Sequence, residues 1–200
     1  MTAAQDRVAE RRPGRPRSER AEHAIIDAAL DLFAEDGVEG VCVEAVAARA
    51  GVGKATIYRR WSGKEDLLMD ALASLRRPLP APRGESVRED LTAIVDAMVK
   101  EAEDPRRSQQ YGLWLTEAHK YPKLMERYSE NVLKPRREVL RSVLRRGVAT
   151  GELRQDADIE IALLAITGTV IARGKHEPGP APVGFGGHLV DELLAGLAPR

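Results

Sequence analysis

Residues 43–65 read VEAVAARAGVGKATIYRRWSGKE and contain the most informative spacing in the chain. Ala47 lies four residues before Gly51, and Ile57 lies six residues after it. A small residue allows two helices to cross closely, and glycine permits the left-handed backbone conformation of a tight turn. The spacing therefore predicts a helix-turn-helix centred on Gly51. Its remaining inward positions are apolar: Val46, Ala50 and Val52.

The outward face of the second of these helices carries side chains suited to a nucleic-acid duplex. From Arg49 to Lys64 there are five basic residues and no acidic ones. Lysine and arginine neutralise phosphates, tyrosine and threonine hydroxyls contact phosphates or bases, and a small alanine allows close approach to a thymine methyl. The alternative is a solvated basic helix that packs only for stability. The predicted DNA-contacting residues are Lys54, Ala55, Thr56, Tyr58, Arg59, Arg60 and Lys64.

Composition narrows the class of protein that carries this motif. The 200 residues are 43% hydrophobic, with 31 basic and 31 acidic side chains, so a core can form and a uniformly cationic nucleic-acid coat is excluded. A single cysteine, Cys42, excludes an internal disulfide framework. No apolar run reaches the roughly 18 residues that span a bilayer, and the N-terminus has no apolar signal segment. We expect a cytoplasmic protein without membrane contact.

Helical spacing of apolar residues recurs along the chain without a sustained strand pattern, which predicts an all-α fold. Prolines and a glycine indicate a linker over about 76–85. We predict a flexible basic arm (1–17), a helix-turn-helix head (18–63) and a helical body (64–200). The local signals for helix ends are the caps Ser18, Ser62 with Glu65, Ser86 with Glu89, Asp104, and Asp156 or Asp158, the stops Gly37 and Gly151, and a kink or interruption at Pro135.

Residues 47–65, with the segments 25–33 and 37–40, closely resemble the DNA-binding signature of the TetR family of bacterial transcriptional regulators. The resemblance covers about residues 18–75, and beyond them only the helical pattern and the overall size agree. It implies an all-α homodimer with about nine helices in each subunit. A three-helix head would lie beneath a larger, ligand-responsive body.

Two departures from the family pattern concern helix capping. Val41 and Cys42 precede the second helix, where the family usually has Thr or Ser, whose hydroxyls cap the helix and contact phosphate. Gly53 precedes the third helix in place of the common Ser, and glycine is a tolerable cap without a side-chain oxygen. The sequence therefore predicts no hydroxyl cap at either position.

The N-terminal segment 11–17, RRPGRPR, contains a Gly-Arg-Pro core flanked by arginines and resembles an AT-hook. Proline keeps such a segment extended, and arginine favours the negative potential of a narrow minor groove. Arg15 and Arg17 are therefore predicted to contact DNA. A plain disordered tail is the alternative.

Aromatic and methionine side chains of the body indicate a ligand pocket between helices. Such pockets typically have a few polar groups set among apolar ones. Ordinary bundle core is the alternative. The candidate ligand-binding residues, for an effector of unknown identity, are Met98, Tyr111, Trp114, His119, Met125 and Tyr128.

Residues 159–166 are apolar around most of a helix circumference, whereas a surface helix needs one apolar stripe. The excess predicts a second partner, a two-fold four-helix interface between subunits that includes the last helix. Burial within one subunit is the alternative. The predicted interface residues are Ile159, Leu163, Ile166, Val170, Leu189, Leu193 and Leu197.

These features predict a homodimeric, sequence-specific DNA-binding regulator, a repressor released from a palindromic operator by a small molecule. An activator of the same fold, a helical ligand-binding protein without DNA function and a small helical enzyme are the alternatives. The sequence has no glycine-rich phosphate loop, nucleophile elbow or paired-carboxylate motif, and its four histidines lack metal-ligand spacing. We therefore expect no enzymatic activity, no cofactor and no metal.

Overall fold

A computed structural model describes residues 15–177 and 179–197, which form helices and no strand. The helices are α1 (Arg15–Gly40), α2 (Val43–Ala50), α3 (Lys54–Tyr58), α4 (Lys64–Ser74), α5 (Val87–Ala102), α6 (Pro105–Glu117), α7 (Pro122–Tyr128), α8 (Lys134–Thr150), α9 (Ile159–His176) and α10 (Phe185–Leu197). A π-helical turn joins α7 to α8 without a break. With that run counted as one helix, the described part of the chain contains nine, which confirms the predicted all-α class and helix number.

The helix caps predicted for the body are present, whereas the cap predicted for α4 is wrong. Ser86, Asp104 and Asp158 each accept a hydrogen bond from the backbone N–H three residues later, at 3.4, 3.2 and 3.0 Å. The cap position of α4 is a glycine, which makes no side-chain hydrogen bond. The Ser62 hydroxyl, one residue too early for the cap, instead donates to the Asp66 carboxylate.

Helix α1 begins earlier than its predicted cap at Ser18. Its first residue is Arg15, so Pro16 lies in the first turn, where a missing N–H breaks no intrahelical bond. The expectation that proline keeps this segment out of a helix is therefore wrong for the last three residues of the predicted arm. The rest of the arm, residues 1–14, lies outside the described part of the chain.

Pro135 modifies the long helical run without breaking it. The N–H of Lys134 donates to the carbonyl of Ser129, five residues earlier, which is the hydrogen bond of a π-helical turn. This wide turn ends directly before α8, so Pro135 takes a position in the first turn of α8. Proline cannot donate a backbone hydrogen bond inside a continuous helix, and the wide π-helical turn directly before it accommodates the missing donor.

Two hydrophobic clusters form the core, and the first is shared between head and body. It joins buried side chains of α1, α3 and α4 to Trp114 of α6 and Tyr128 of α7. The second lies among α5, α8, α9 and α10. The division into residues 18–63 and 64–200 therefore stays a prediction, since the apolar packing continues across that boundary.

Direct polar contacts also tie α1 to α6. Gln110 is buried and donates from Nε2 to the carbonyl oxygen of Leu30 at 3.1 Å. Gly37 interrupts α1 with a φ of 68°, as predicted, and the Glu117 carboxylate accepts a hydrogen bond from the N–H of Val38 at 3.3 Å. The first helix of the head is therefore hydrogen-bonded directly to α6 of the body.

The segment between α4 and α5 is held by the buried carboxylate of Asp90, which is 4% exposed. It accepts hydrogen bonds from the N–H groups of Arg83 and Gly84 at 2.7 and 3.0 Å, and from Nη2 of Arg146 at 2.7 Å. Burial opposes the charge of Asp90, but these donors outweigh it and lower its pKa.

Asp90→Asn is expected to lower the free energy of unfolding by about 3 kcal/mol, since it leaves Arg146 without its buried partner. Because the pKa of Asp90 is lowered from 3.8 in the folded state, its contribution is complete above pH 3.8 and is lost as the pH falls through the lower folded value. Urea unfolding at pH 7 and at progressively more acidic pH measures both effects. A stability gap between the two proteins that stays constant down to pH 2 would contradict this assignment.

Candidate DNA-binding surface and ligand cavity

The turn between α2 and α3 has the geometry predicted from its spacing. Gly51 adopts a left-handed conformation with a φ of 65°, and the N–H of Val52 donates to the carbonyl oxygen of Ala47 at 3.0 Å. Ala47 and Ile57 are both buried in the first hydrophobic cluster. The two helices therefore share a small core, and the opposite side of α3 faces solvent.

The residues predicted to contact DNA, which we name the recognition face, are all at least partly exposed to solvent. Tyr58 is 54% exposed, Thr56 and Lys64 are half-buried, and the other members are exposed. Nothing in the subunit interior sequesters these side chains, so they are available to a duplex. The recognition face consists of Lys54, Ala55, Thr56, Tyr58, Arg59, Arg60 and Lys64.

The two positions that depart from the family pattern act as weak caps. Cys42 is the N-cap of α2, and its sulfur accepts a hydrogen bond from the N–H of Ala45 at 3.4 Å. Gly53 is the N-cap of α3 and offers no side-chain acceptor. A thiol therefore replaces the hydroxyl cap at α2, which sequence reasoning did not foresee.

Acidic side chains from neighbouring helices pair with most of the basic residues around the recognition face. Arg49 donates from both terminal nitrogens to the Glu35 carboxylate, at 2.7 and 2.8 Å, and Nζ of Lys54 lies 3.0 Å from Oε1 of Glu44. These hydrogen bonds lower the pKa values of both glutamates. Sequence analysis found no acid within 49–64, but folding brings acids to that surface from elsewhere.

Two further pairs extend the same arrangement. Arg60 pairs with Glu22 of α1, and Nζ of Lys64 lies 3.5 Å from Oε2 of Glu39. A phosphate group must therefore compete with carboxylates that already occupy these cations.

Glu44→Gln is expected to raise the affinity for DNA by about two- to fivefold at low salt, because it frees Lys54 from an exposed ion pair. The gain shrinks at high salt, where exposed ion pairs are screened. Fluorescence anisotropy with labelled DNA at 50 and 200 mM salt measures both effects. The control is Glu126→Gln, which removes the same charge from an exposed site on α7; equal gains in both variants would contradict a local effect at Lys54.

The arginines assigned to the minor groove have no described side chains. The backbone of Arg15 and Arg17 belongs to the first turn of α1, whereas an AT-hook is extended. Their side chains lie outside the described part of the structure, so the contact with DNA stays a prediction.

A cavity of about 530 Å³ lies in the body among α5, α6, α8 and α9, and residues directly after α4 also line it. This volume is in the usual range for small-molecule sites. Most of its wall is apolar, with Leu79, Met98, Leu115, Leu140 and Val170 among the lining side chains. The cavity is therefore suited to an organic ligand.

Three of the six predicted ligand residues line this cavity, namely Met98, Tyr111 and Met125. The other three do not. Trp114 and Tyr128 are fully buried against one another, with ring centroids 5.5 Å apart in an edge-to-face arrangement, and His119 is exposed on the short turn after α6. Trp114 and Tyr128 therefore belong to the core that joins head and body.

One part of the cavity wall is strongly polar and was missed by sequence reasoning. Oε1 of Glu101 lies 2.5 Å from Nη1 of Arg76 and 3.3 Å from Nη2 of Arg136. We call these three side chains the Glu101 cluster. Glu101 continues the buried stripe of Ile94 and Met98 at helical spacing, so a carboxylate in an otherwise apolar stripe was the available signal.

The Glu101 cluster also holds the chain segment that leaves α4. Oε2 of Glu101 accepts a hydrogen bond from the N–H of Arg77 at 2.7 Å, and Arg136 donates to the carbonyl oxygen of Arg77. Arg107, another cavity residue, donates to the carbonyl oxygen of Ser74 at 2.5 Å. The end of the helix that joins head to body is therefore fixed by side chains of the cavity wall.

Comparison with known proteins assigns the chain to a family. Residues 25–71 match the family model for bacterial regulatory proteins of the tetR family, and residues 81–193 match the tetracyclin repressor-like C-terminal domain. The chain belongs to the TetR family. It is 35% identical over 164 residues to the uncharacterized HTH-type transcriptional regulator YdeS of Bacillus subtilis, covering 80% of this chain and 81% of that protein. The protein is thus a DNA-binding transcriptional regulator.

Solved structures of TetR-like regulators share the fold. The fatty acid degradation regulator FadR from Bacillus halodurans aligns with a TM-score of 0.69 at 24% identity, over 94% of this chain and 100% of that one. FadR from Bacillus subtilis, in complex with stearoyl-CoA, aligns with a TM-score of 0.64 at 21% identity, over 88% and 98% of the two chains. At these identities the likeness concerns the fold.

Four of the seven residues predicted for an intersubunit surface are buried within a single chain. Leu163, Ile166, Val170 and Leu197 are buried in the second hydrophobic cluster of a single chain, and Ile159, Leu189 and Leu193 pack partly buried against it. The assignment of the four buried residues to an intersubunit surface is corrected accordingly.

A different side of α9 is left uncovered in one chain. Ile161 is 64% exposed and Leu164 is 61% exposed. The positions that follow at helical spacing are small, and a side chain added at Gly168 would meet no atom within 4 Å. We call this surface the α9 stripe; it consists of Ile161, Leu164, Ala165, Gly168 and Ala172.

Within the described residues, no helix is both long and apolar enough to cross a membrane. The same residues contain no group of three or more His, Cys, Asp or Glu side chains placed to hold a metal ion.

Proposed function

We propose that this TetR-family regulator is a homodimeric repressor that holds an approximately palindromic operator through the recognition face and leaves it when a small molecule occupies the cavity. The observation that carries the proposal is that the side chains of the recognition face are exposed to solvent while Ile57, on the opposite side of α3, is buried and anchors the helix. Acting on chromosomal DNA would place the protein in the cytoplasm.

We propose that two subunits pair through the α9 stripe, whose Ile161 and Leu164 are exposed in one chain, and this pairing determines the form of the operator. A two-fold axis would relate two copies of α3, and each would enter a major groove. Recognition helices of such dimers bind half-sites about 34–36 Å apart or at a multiple of that spacing. The operator is therefore expected to be palindromic about the two-fold axis.

Release by a ligand is supported by the contacts between cavity and head. The wall of the cavity fixes the end of α4, and α6 contacts α1 through Gln110 and Glu117. A ligand that favours a different α4 position would change the spacing of the two heads. Shifting occupancy from 1:99 to 99:1 requires about 5.5 kcal/mol of differential affinity between the two states.

Selection of genomic fragments by the purified full-length protein tests this function. Sequencing of the retained fragments is expected to give a palindromic site, which is then placed between a promoter and a reporter gene. Expression is expected to fall when the protein is present. If no fragment is enriched, sequence-specific DNA binding is refuted. A rise in expression would refute repression and identify an activator.

A further inference from the structure

The polar wall of the cavity has the chemistry of an anion-binding subsite. We infer that the effector is an amphipathic organic anion whose carboxylate or phosphate headgroup binds Arg76 and Arg136, while its apolar body fills the remainder of the cavity. This inference rests on the proposed function, since it names the ligand class of the same site.

The charge at the cavity is the first observation. Five basic and two acidic side chains line it, although basic and acidic residues are equal in number over the whole chain, at 31 each. Within the Glu101 cluster, one carboxylate serves two guanidinium groups. A second anion would complete the neutralisation of the buried charges, because a buried charge is stable only when it is paired.

The two arginines are unequally compensated. Burial opposes the charge of Arg76, but the groups that face it, Tyr111 and Glu101, outweigh burial and raise its pKa. For Arg136 the effect of burial exceeds that of Glu101, and its pKa is lowered. Arginine stays protonated in proteins, so Arg136 is a largely buried cation whose only carboxylate in the cluster lies 3.3 Å away and is shared with the closer Arg76 at 2.5 Å.

Arg76 retains an unused donor. Its guanidinium carbon lies 3.5 Å from the centre of the Tyr111 ring, which holds the group flat against the aromatic face. Its Nη1 donates to Glu101, but its buried Nε has no hydrogen-bond partner in the described part of the protein. A buried donor without a partner carries a free-energy penalty, so the hydrogen bonding of Arg76 is incomplete within the protein.

The remaining wall decides against a purely polar ligand such as free phosphate. Leucine, methionine, valine and isoleucine side chains from five elements line it, including Leu75, Leu133 and Ile171. Desolvating these side chains favours an apolar ligand body. A cationic head is disfavoured by the excess of basic residues, and a neutral head would leave the charge of Arg136 incompletely paired.

Occupation of the subsite would act directly on the end of α4. Glu101 binds the Arg76 side chain and the Arg77 N–H with its two oxygens. A headgroup that takes over Arg76 and Arg136 weakens the hold of Glu101 on this segment. The ligand's charge would therefore be the feature that loosens the connection between body and head.

Isothermal titration calorimetry of the full-length protein tests the ligand class with four probes of equal chain length: dodecanoate, dodecyl phosphate, dodecanol and dodecylammonium. At least one anion is expected to bind ten or more times more tightly than dodecanol, and dodecylammonium is expected to bind most weakly. The tighter of the two anions identifies the headgroup. If neither anion shows a tenfold preference over dodecanol, the inference is overturned.

Thermal unfolding of Glu101→Gln supplies a second, independent measurement. The variant is expected to melt at a lower temperature, because two buried guanidinium groups lose their carboxylate. The tighter of the two anions is expected to raise the melting temperature of the variant by more than it raises that of the original protein, since its headgroup replaces the lost charge. Dodecanol is expected to raise both equally.

Asp90→Asn is the matched control, because it removes another buried carboxylate that pairs with an arginine but does not line the cavity. Its melting temperature is expected to fall. The rise in melting temperature that the anion produces is expected to equal the rise in the original protein. If Glu101→Gln does not fold, Arg136→Met replaces it, and the tenfold preference for the anion is expected to drop below about threefold. An unchanged preference overturns the assignment to Arg136.

The outcomes separate this inference from the proposed function. Calorimetry and melting are measured without DNA, and DNA retention is measured without ligand. Intact DNA retention without anion preference overturns the subsite alone. Anion preference without retention of any genomic fragment overturns the proposed function alone.

Discussion

Replacing Lys54 and Tyr58 together by alanine is expected to abolish retention of operator DNA in a gel shift. Both side chains are more than half exposed on the recognition face, at 56% for Lys54 and 54% for Tyr58, so their loss leaves the core intact. Lysine supplies a phosphate contact and tyrosine a hydroxyl, and losing two contacts of this kind weakens binding roughly 100-fold or more.

The salt dependence separates the two contributions. Each phosphate contact displaces about one counterion, so the slope of log affinity against log salt is expected to become shallower by about one when Lys54 is lost. Lys100→Ala is the charge-matched control on an exposed position of α5, and it is expected to bind as the original protein does. Unchanged retention by the double variant, with circular dichroism showing an intact helical fold, would refute the assignment of α3 as the recognition helix.

Ile161→Asp with Leu164→Asp is expected to convert the dimer to monomers and to lower operator affinity by about 100-fold or more. In a single chain both side chains face solvent, so the substitutions leave the monomer stable. Two like charges placed in an apolar interface prevent its burial. A palindromic operator then binds two independent heads. The gain in affinity from linking two binding modules, a factor of about 10² to 10⁴, is lost.

Sedimentation velocity at micromolar concentration measures the assembly, and a gel shift with full-site and half-site DNA measures binding. The double variant is expected to retain the weak affinity for a half-site. Ala93→Asp, at an exposed position of α5, serves as the control and is expected to remain dimeric. A double variant that still sediments as a dimer would show that the subunits pair through a surface other than the α9 stripe.

Local features of this protein could be predicted from the order of residues. The turn at Gly51 and the inward positions of Ala47 and Ile57 depend on neighbours fewer than a dozen residues away, so spacing alone predicts them. The caps at Ser86, Asp104 and Asp158 are equally local, because each bonds a backbone N–H three residues later. The cap predicted at Ser62 is wrong because α4 begins one residue later than expected. Gly63 takes the N-cap position, and the Ser62 hydroxyl bonds the Asp66 carboxylate instead.

The residues that line the ligand cavity could be predicted from the sequence only in part. Aromatic and methionine side chains suggested a pocket, yet both packing in a core and lining a cavity require the same residue types, so Trp114 and Tyr128 could not be told from Tyr111. The Glu101 cluster depends on Arg76 and Arg136, which lie 25 and 35 residues away along the chain. No periodic pattern encodes such a pairing.

Helical periodicity and turn chemistry act over short distances, so the all-α class, the position of the helix-turn-helix and the outward face of α3 follow from the order of residues. The packing of whole helices, in contrast, brings Glu22 and Glu44 to the cations of that face and leaves Ile161 rather than Leu163 uncovered on α9. A helix that is apolar around its circumference gives no preferred direction, so its buried side is selected by the helices packed against it. Pairing of distant charges is fixed in the same way, by the packing of whole helices.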